Sequence, residues 1–254
     1  MTQPVDRGSA AELAALIEAA ERVVALTGAG ISTASGIPDF RTPGTGLWAN
    51  VDPMAIAHID VLNEDPATFW RFYSDRFTTL GSVKPNRAHQ VLVELEEAGR
   101  LEAVITQNVD RLHGLAGTSE LIELHGSIDR SPCTACGAIY QLDDVRTRAS
   151  GADDGVPECD CGAMIRPGVV LFGEMLPQEA LGRAFELAGE ADLILCIGSS
   201  LEVHPAAGLP LVTAERGGTV AILTESATPL DAHAAIRLHG DVVAELEAVL
   251  DAIS

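Results

Sequence analysis

The segment Thr27–Arg41 reads TGAGISTASGIPDFR, and no other part of this 254-residue chain says as much about its architecture. It follows the apolar segment Arg22–Leu26, which predicts a strand leading directly into a glycine-rich loop. In open α/β sheets, nucleotide phosphates bind where such strands end. Gly28 and Gly30 would let the backbone turn tightly and approach a pyrophosphate closely. The segment therefore predicts a nucleotide site.

The same segment departs from the usual dinucleotide fingerprint. Thr33 stands where a third glycine is expected, and the run 36–38, Gly-Ile-Pro, interrupts any helix. The chain then presents a carboxylate, an aromatic ring and a guanidinium at Asp39, Phe40 and Arg41. A loop that holds phosphates and then covers the ligand suits an enzyme that breaks NAD better than one that transfers hydride.

Composition bounds the class of protein. Apolar residues make up 47% of the chain, enough for one moderately large domain or a domain with an insertion. No apolar run reaches the ~18 residues of a membrane span, and the first residues lack an apolar signal core, so a cytoplasmic location is expected. The net charge of −21 argues against nucleic acid as a partner. It is compatible with a basic, lysine-rich peptide partner or simply with solubility.

Apolar strands alternate with helical patterns, which predicts an α/β fold with a doubly wound parallel sheet. Strands are predicted at 23–26, 101–106, 120–124, 169–172, 193–197 and 220–223, and helices at 9–20, 85–98, 177–188 and 242–253. The segment 47–80 concentrates aromatic residues and predicts short helices. The predicted division assigns 1–40, 81–129 and 166–254 to the nucleotide-binding domain, 41–80 to a helical lid, and 130–165 to a metal-binding insertion.

Four of the five cysteines form two short pairs, Cys133 with Cys136 and Cys159 with Cys161. In a cytosolic chain such pairs favour metal binding over disulfides. Four thiolates fit a tetrahedral zinc site whose positions are all filled by protein, so the ion would hold the insertion together and would not catalyse. The second pair has one intervening residue where two are usual.

Polar residues follow other predicted strands. The run 106–113, TQNVDRLH, offers Gln107, Asn108 and Asp110 as hydrogen-bond partners for ribose hydroxyls and a carboxamide. Alternatively, this run is only a polar helix start, with the acidic group near the positive end of the helix dipole. The run 198–201, GSSL, could bind the far phosphate and ribose, or could be a simple turn.

His125 also follows a predicted strand, and we expect Gly126 beside it to leave room for a ligand. A neutral imidazole near its normal pKa can accept a proton from a ribose hydroxyl. An isolated histidine is often only structural, and His113 is a competing candidate for the base. His113 lies about a turn into a predicted helix, where we expect it to face solvent.

Together and in this order, these motifs resemble the sirtuins, a family of NAD-dependent protein lysine deacylases, from about residue 9 to the end of the chain. The resemblance implies a Rossmann-like domain and a smaller zinc-bearing module, with NAD and an acylated lysine entering the cleft between them. It implies that the acyl oxygen displaces nicotinamide from NAD and that His125 deprotonates a ribose hydroxyl. The products would be nicotinamide, free lysine and O-acyl-ADP-ribose.

The resemblance also assigns roles to individual residues. His125, Asn108 and Asp110 would be catalytic. The dinucleotide would contact Gly28, Ala29, Gly30, Ile31, Thr33, Asp39, Phe40, Arg41, Gln107, Asn108, Val109, Asp110, Gly198, Ser199, Ser200, Thr224, Asp241 and Val242. The substrate peptide would add as a strand to the run Val170, Leu171, Phe172, Gly173 and Glu174. Val170 and Phe172 would wall the acyl-lysine tunnel. Thr224 stands where many sirtuins have asparagine, which weakens the expected adenosine-ribose contact.

Tyr73 and Arg76 have the spacing found in sirtuins that remove succinyl or malonyl groups. A phenol and a guanidinium can bind an acyl carboxylate that an apolar pocket would reject. Alternatively, the two residues lie one helical turn apart and only pack, with Asp75 neutralising the arginine. Three other functions remain open: a mono-ADP-ribosyltransferase using the same NAD cleft, an NAD-dependent dehydrogenase, and a non-catalytic zinc-ribbon binding module.

Overall fold

The computed structural model describes residues 7–39 and 52–253. Their main feature is a six-stranded parallel sheet with the strand order β3-β2-β1-β6-β7-β8, and β4 pairs with β5 in a separate antiparallel ribbon. The strands are β1 (Val23–Thr27), β2 (Ala103–Thr106), β3 (Leu121–Glu123), β4 (Ser131–Pro132), β5 (Ile139–Tyr140), β6 (Leu193–Ile197), β7 (Thr219–Leu223) and β8 (Ile236–Leu238). This order is that of a doubly wound sheet, so the predicted fold class is confirmed.

Helices connect the strands, and some of them cover the sheet. They are α1 (Ala10–Ala19), α2 (Pro53–Ile56), α3 (Ile59–Glu64), α4 (Pro66–Ser82), α5 (Arg87–Glu97), α6 (Leu112–Ala116), α7 (Leu142–Gly151), α8 (Gln178–Glu190), α9 (Leu209–Glu215) and α10 (Val242–Ala252). Within the described ranges, none of them combines the length and apolarity needed to cross a bilayer. Ser9 caps α1 by accepting a hydrogen bond on Oγ from the main-chain nitrogen of Glu12.

The sheet is buried on both faces, which explains why β1 and β6 are continuous apolar runs and do not alternate. One core cluster joins one face of the sheet to α1, α5 and α10 through residues such as Leu13, Leu92 and Leu246. A second cluster joins the other face to α8 and α9 through residues such as Leu187 and Leu209. These two layers fix the carboxyl ends of the strands, where the candidate site lies.

A third core cluster lies apart from the sheet and is built on α4 and α7. The prediction of short helices is wrong for α4, which spans 17 residues. Asp65 caps it by accepting from the main-chain nitrogen of Thr68, and Pro66 occupies its first turn, where proline is tolerated. The helix buries one face, because its large apolar side chains recur at helical spacing: Phe69, Trp70, Tyr73, Phe77 and Leu80.

This third cluster also contains Cys133, Cys159 and Ile165 of the cysteine-bearing segment. The predicted lid and the predicted metal-binding insertion therefore share one core. The cluster extends further to Leu112 and Leu171, which the sequence assigns to the nucleotide-binding domain. The exact domain boundaries stay a prediction.

Candidate active site

The strand order reverses between β1 and β6, and the glycine-rich segments that follow these two strands touch each other. A Cβ atom on Gly28 would lie 2.8 Å from the main-chain oxygen of Gly198, and a Cβ atom on Gly30 would lie 2.7 Å from the Cα of Gly198. The main-chain nitrogen of Gly30 donates to the Gly198 oxygen over 2.8 Å. These glycines therefore permit close contact between two loops at the switch point, where nucleotides bind in such sheets.

The chain after β1 forms a short 3-10 helix, Ala29–Ser35, which ends at Gly36 with φ +90°. The predicted interruption at 36–38 is thus confirmed. Ile31 within this helix is fully buried, and its main-chain oxygen accepts from Asn86 Nδ2. The Thr33 hydroxyl donates to the main-chain oxygen of Gly30. Phe40 and Arg41 lie outside the described residues.

Asn108 joins the segment after β2 to the segment after β1. Its Nδ2 donates to the main-chain oxygen of Gly28 over 3.1 Å and to Ser32 Oγ over 3.2 Å. Ser32 Oγ donates in turn to Asp110 Oδ2 over 2.7 Å, and the main-chain nitrogen of Leu112 donates to Asp110 Oδ1 over 2.9 Å. Two segments separated by about eighty residues are therefore joined by one buried network.

The carboxylate of Asp110 is held in a low-dielectric position. Burial raises its pKa, while its hydrogen bonds with Leu112 and Ser32 and the positive charge of Arg76 act in the opposite direction. Burial also lowers the pKa of the Arg76 guanidinium. The two groups line a narrow cavity of about 20 Å³, close to the volume of one water molecule. Its walls are Ala29, Ser32, Ile37, Pro38, Arg76, Leu80, Asn108, Val109 and Asp110.

His125 lies beside this network with a defined tautomer. Its Nδ1 is 2.8 Å from the main-chain oxygen of Gln107. A carbonyl oxygen only accepts hydrogen bonds, so Nδ1 carries the ring proton and Nε2 is the basic nitrogen. Burial lowers the pKa of His125, although the bond to Gln107 opposes the shift. The ring is therefore uncharged near neutral pH and can accept a proton on Nε2.

Two predictions about neighbouring residues are wrong. Gly126 does not leave room for a ligand, because a Cβ on it would lie 2.2 Å from the main-chain oxygen of Gly168 and its φ is +73°. His113 does not face solvent: it is 2% exposed, and its Nε2 lies 2.9 Å from Thr27 Oγ1. The reason is that the short helix α6 turns its first two residues inward, Leu112 and His113, which are both buried.

The segment predicted to bind the peptide does not form a regular strand: it has isolated bridges, of Phe172 with His58 and, just before it, of Val169 with Gly126. The main-chain nitrogen of Phe172 donates to Ala57, and its oxygen accepts from Ile59, each over 3.0 Å. The prediction that a peptide pairs with the Phe172 backbone is therefore wrong, because both groups are already satisfied. The Phe172 side chain is exposed, and the main-chain nitrogen of Val170 donates to the main-chain oxygen of His125.

Glu174 holds this segment in place. Its two carboxylate oxygens each accept from Arg166 over 2.7 Å, and one also accepts from the main-chain nitrogen of Leu171. Burial is the largest single influence on the pKa of Glu174 and raises it. The hydrogen bonds from Arg166 and Leu171 and the charge of Arg166 together outweigh burial, so the pKa of Glu174 is lowered. Gly173 packs on His58, since a Cβ on it would lie 2.6 Å from His58 Nε2. The carboxylate of Glu174 therefore orders the segment that carries Val170.

The remaining predicted contacts lie at the carboxyl ends of β6, β7 and β8. Ser199 Oγ accepts from Gln107 Nε2 over 2.9 Å, which joins the segment after β6 to that after β2. Thr224 follows β7, and its main-chain nitrogen donates to Leu238. Asp241 caps α10 by accepting from the main-chain nitrogen of Ala244, while Val242 is buried. Ser200 follows Ser199 and is partly buried.

The four clustered cysteines bring their sulfurs within 4.8 Å of one another. Cys133 Sγ lies 3.5 Å from Cys161 Sγ, and Cys136 Sγ lies 3.5 Å from Cys159 Sγ. Ligands of a tetrahedral zinc ion are about 3.8 Å apart, given bonds of about 2.3 Å. The set therefore fits one structural zinc ion, and the shortened second pair does not prevent the cluster from forming.

Sequence reasoning missed a group of buried and partly buried polar residues beneath the glycine loop. Asn86 begins α5 and donates from Nδ2 to the main-chain oxygen of Ile31 over 2.8 Å and to Ser35 Oγ over 3.0 Å. His89 follows three residues later, with its Nδ1 3.1 Å from Asn86 Oδ1. The sequence signal that could have indicated this group is an asparagine three residues before a histidine at the start of a predicted helix.

The sheet order, the glycine-lined switch point and the cysteine module define a Rossmann-like protein with a metal-binding module. The Sir2 family model matches residues 28–205, and the chain therefore belongs to the Sir2 family. It is 46% identical over 225 residues to the "NAD-dependent protein deacetylase" of Sulfolobus acidocaldarius, covering 89% of this chain and 87% of the relative.

Solved Sir2 structures share the whole fold. One, a histidine-to-alanine variant with a deacetylated p53 peptide and 3'-O-acetyl ADP-ribose, is 42% identical with a TM-score of 0.91 and covers 97% of this chain and all (100%) of its own. Another, Sir2 with a p53 peptide and NAD+, is 43% identical with a TM-score of 0.87 and covers 94% of this chain and 96% of its own.

Proposed function

We propose that this chain is an NAD-dependent protein lysine deacetylase that yields nicotinamide, free lysine and O-acetyl-ADP-ribose. Family membership and the names of its relatives support the reaction class. The observation that carries the proposal is the state of His125: it is uncharged, it is oriented by the Gln107 main chain, and it offers Nε2 as a base. General bases need this combination of geometry and protonation.

NAD is the co-substrate in this proposal, and its phosphates bind the main chain of the touching loops at 28–36 and 198–200. Exposed N–H groups at such strand ends favour phosphate. The nicotinamide end occupies the cavity at Ala29, Asn108, Val109 and Asp110, whose walls must separate to admit the ring. The adenosine end lies toward Thr224, Asp241 and Val242. Asp39, Phe40 and Arg41 are proposed to cover the ligand.

The proposed chemistry assigns each group near the ribose a step. Asn108 orients the ribose and the hydrolytic water, while Asp110 keeps Ser32 and Asn108 in position. The acyl oxygen forms a bond to the anomeric carbon as the bond to nicotinamide breaks. His125 Nε2 then takes the proton of a ribose hydroxyl, which attacks the imidate carbon. Water completes the release of the lysine amine and the acylated ADP-ribose.

The peptide is proposed to bind along the segment 170–174, whose first residue donates from its main-chain nitrogen to the main-chain oxygen of His125. The side chains of Val170 and Phe172 wall the acyl-lysine tunnel, and the main chain of Gly173 contacts the peptide. Glu174 acts through its bonds to Arg166 and does not bind the peptide directly. The proposed module boundaries remain 1–40, 81–129 and 166–254 for the nucleotide-binding domain, with 41–80 and 130–165 forming the smaller module.

A second activity on succinyl- or malonyl-lysine is proposed for the same site. Arg76 lines the cavity beside Asn108 and Asp110, and a guanidinium there can bind an acyl carboxylate. Tyr73, one turn earlier on α4, stacks on Phe69 with ring centroids 4.3 Å apart. Burial raises the pKa of Tyr73 to about 12, so its phenol keeps its proton and can donate.

Product identity tests the main proposal. The purified protein is incubated with NAD and an acetyl-lysine peptide, and the products are identified by mass spectrometry. Equal amounts of nicotinamide, deacetylated peptide and O-acetyl-ADP-ribose support the deacetylase. An ADP-ribosylated protein would instead identify a transferase, and absorbance from reduced nicotinamide would identify a dehydrogenase. Failure to bind NAD would identify a non-catalytic module.

A further inference from the structure

Two buried histidines lie beneath the glycine loop and take no part in the proposed chemistry. The ring centroids of His89 and His113 are 4.8 Å apart. His113 Nε2 contacts Thr27 Oγ1, while His113 Nδ1 and His89 Nε2 have no hydrogen-bond partner among the described residues. Burying a ring nitrogen without a hydrogen-bond partner costs free energy, so the contacts of the bonded nitrogens are the ones that can offset it.

His113 is connected to the ribose side of the site through two hydroxyls. Thr27 Oγ1 donates to Thr106 Oγ1 over 2.8 Å, so its oxygen accepts from His113 Nε2 over 2.9 Å. Thr106 Oγ1 also accepts from the main-chain nitrogen of Asn108 over 3.1 Å. The chain of contacts therefore runs from His113 across the ends of β1 and β2 to Asn108.

His89 is connected to the phosphate side of the site through Asn86. Its Nδ1 lies 3.1 Å from Asn86 Oδ1, and because an amide oxygen only accepts hydrogen bonds, Nδ1 carries the ring proton and donates to it. Asn86 Nδ2 then donates to Ile31 and Ser35 on the 3-10 helix. The two histidines therefore use different ring atoms to contact their neighbours: His113 contacts Thr27 through Nε2, and His89 contacts Asn86 through Nδ1.

We propose that His89 and His113 are positioning residues that fix the two ends of the segment 27–35 for dinucleotide binding. The inference rests on the proposed function, since NAD is the ligand that the segment would hold. Burial lowers the pKa of His89 to about 4 and that of His113, also affected by His89, to about 3. Both rings are therefore uncharged at neutral pH and act as fixed hydrogen-bonding groups.

The contacts predict opposite amide replacements at the two positions. The glutamine amide reaches the place of histidine Nε2, and the asparagine amide reaches the place of Nδ1. His113→Gln therefore keeps the contact with Thr27, and His113→Asn loses it. At the other position, His89→Asn keeps the contact with Asn86, and His89→Gln loses it. A merely structural role in the core would not produce this crossed pattern.

The test is direct NAD binding by titration calorimetry, with an acetyl-lysine peptide as the comparison ligand. We expect His113→Asn and His89→Gln to weaken NAD binding about tenfold, as for the loss of one buried hydrogen bond. The partner variants, His113→Gln and His89→Asn, should stay within about twofold of wild type. Peptide affinity and zinc content should not change. Equal effects of both amides at either position would overturn the inference.

A conservative variant covers the case in which the polar replacements fail to fold. Thr27→Val removes the hydroxyl that His113 contacts while keeping the shape of the side chain. We expect it to weaken NAD binding by a similar factor, and unchanged binding would overturn the inference. Absence of NAD binding in the wild type would instead reject the proposed function, so the two failures are distinct.

Discussion

Ser32 Oγ donates a 2.7 Å hydrogen bond to Asp110 Oδ2, and this bond joins the helix after β1 to the segment after β2. Both residues are buried, so the carboxylate depends on protein groups for its remaining hydrogen bonds. The other carboxylate oxygen, Asp110 Oδ1, accepts from the main-chain nitrogen of Leu112. The nicotinamide end of the proposed site is therefore formed by contacts between loops that are distant in the sequence.

Removal of the Ser32 hydroxyl tests the importance of this bond. We expect Ser32→Ala to lower the free energy of unfolding by about 1–3 kcal/mol, because it leaves a buried carboxylate oxygen without its donor. Deacetylation should fall about tenfold as Asp110 and Asn108 lose their common partner. Urea unfolding and steady-state kinetics measure the two effects.

Ser82→Ala is the matched control for this variant. The Ser82 hydroxyl donates only locally, to the main-chain oxygen of Thr79 at the exposed end of α4. This control should behave as wild type in both assays. Wild-type kinetics and stability in Ser32→Ala would show that the bond has no role in the site.

The buried histidine pair predicts an acid-sensitive stability. The pKa of His113 falls from 6.5 in the unfolded chain to about 3 in the folded protein, so its contribution is complete above pH 6.5 and is lost as pH falls toward 3. Between about pH 7 and about pH 5, wild type should lose about 2 kcal/mol more than His113→Gln, which has no group to protonate there. Urea unfolding at both pH values measures this difference, and parallel losses would contradict it.

Zinc removal should affect the smaller module selectively. We expect Cys159→Ser to lose the ion and to destabilise the module, because the cysteine belongs both to the metal cluster and to the third core. Cys196→Ala is the matched control, since Cys196 is buried in β6 away from the cluster. Metal analysis should find one zinc per chain in wild type and in the control. Full zinc content in Cys159→Ser would contradict the assignment.

Arg76 should decide the use of acidic acyl groups. We expect Arg76→Ala to reduce kcat/KM on succinyl-lysine peptide at least about tenfold more than on acetyl-lysine peptide, because a charge-assisted hydrogen bond is lost only with the former. Tyr73→Phe preserves the stacking on Phe69 and removes only the phenol, so it should show a smaller loss with the same selectivity. A succinyl rate far below the acetyl rate in wild type, unaffected by Arg76→Ala, would reject the second activity.

The sequence predicted the parts of the site that are local in the chain. Glycine-rich and polar runs after apolar strands located the segments at Gly28, Asn108 and Gly198, since parallel strands place their carboxyl ends at one edge. The cysteine spacing located the metal cluster for a similar reason: its geometry is set mainly within two short turns.

The sequence did not predict features that depend on long-range packing. The orientation of His113 follows from how α6 rests on neighbouring elements, and no periodicity can be read from a helix of five residues. The need for glycine at position 126 comes from Gly168, which is distant in the sequence. The predicted peptide pairing at Phe172 was wrong because the segment at Ala57 already occupies that backbone.

The most direct test of the account is the turnover of His125→Ala at saturating NAD and acetyl-lysine peptide. We expect a loss of about 10²–10⁴-fold, the usual contribution of a general base, while NAD binding, zinc content and melting temperature stay near wild type. Turnover equal to wild type in a variant that still folds and binds NAD would contradict the assignment of His125 as the base.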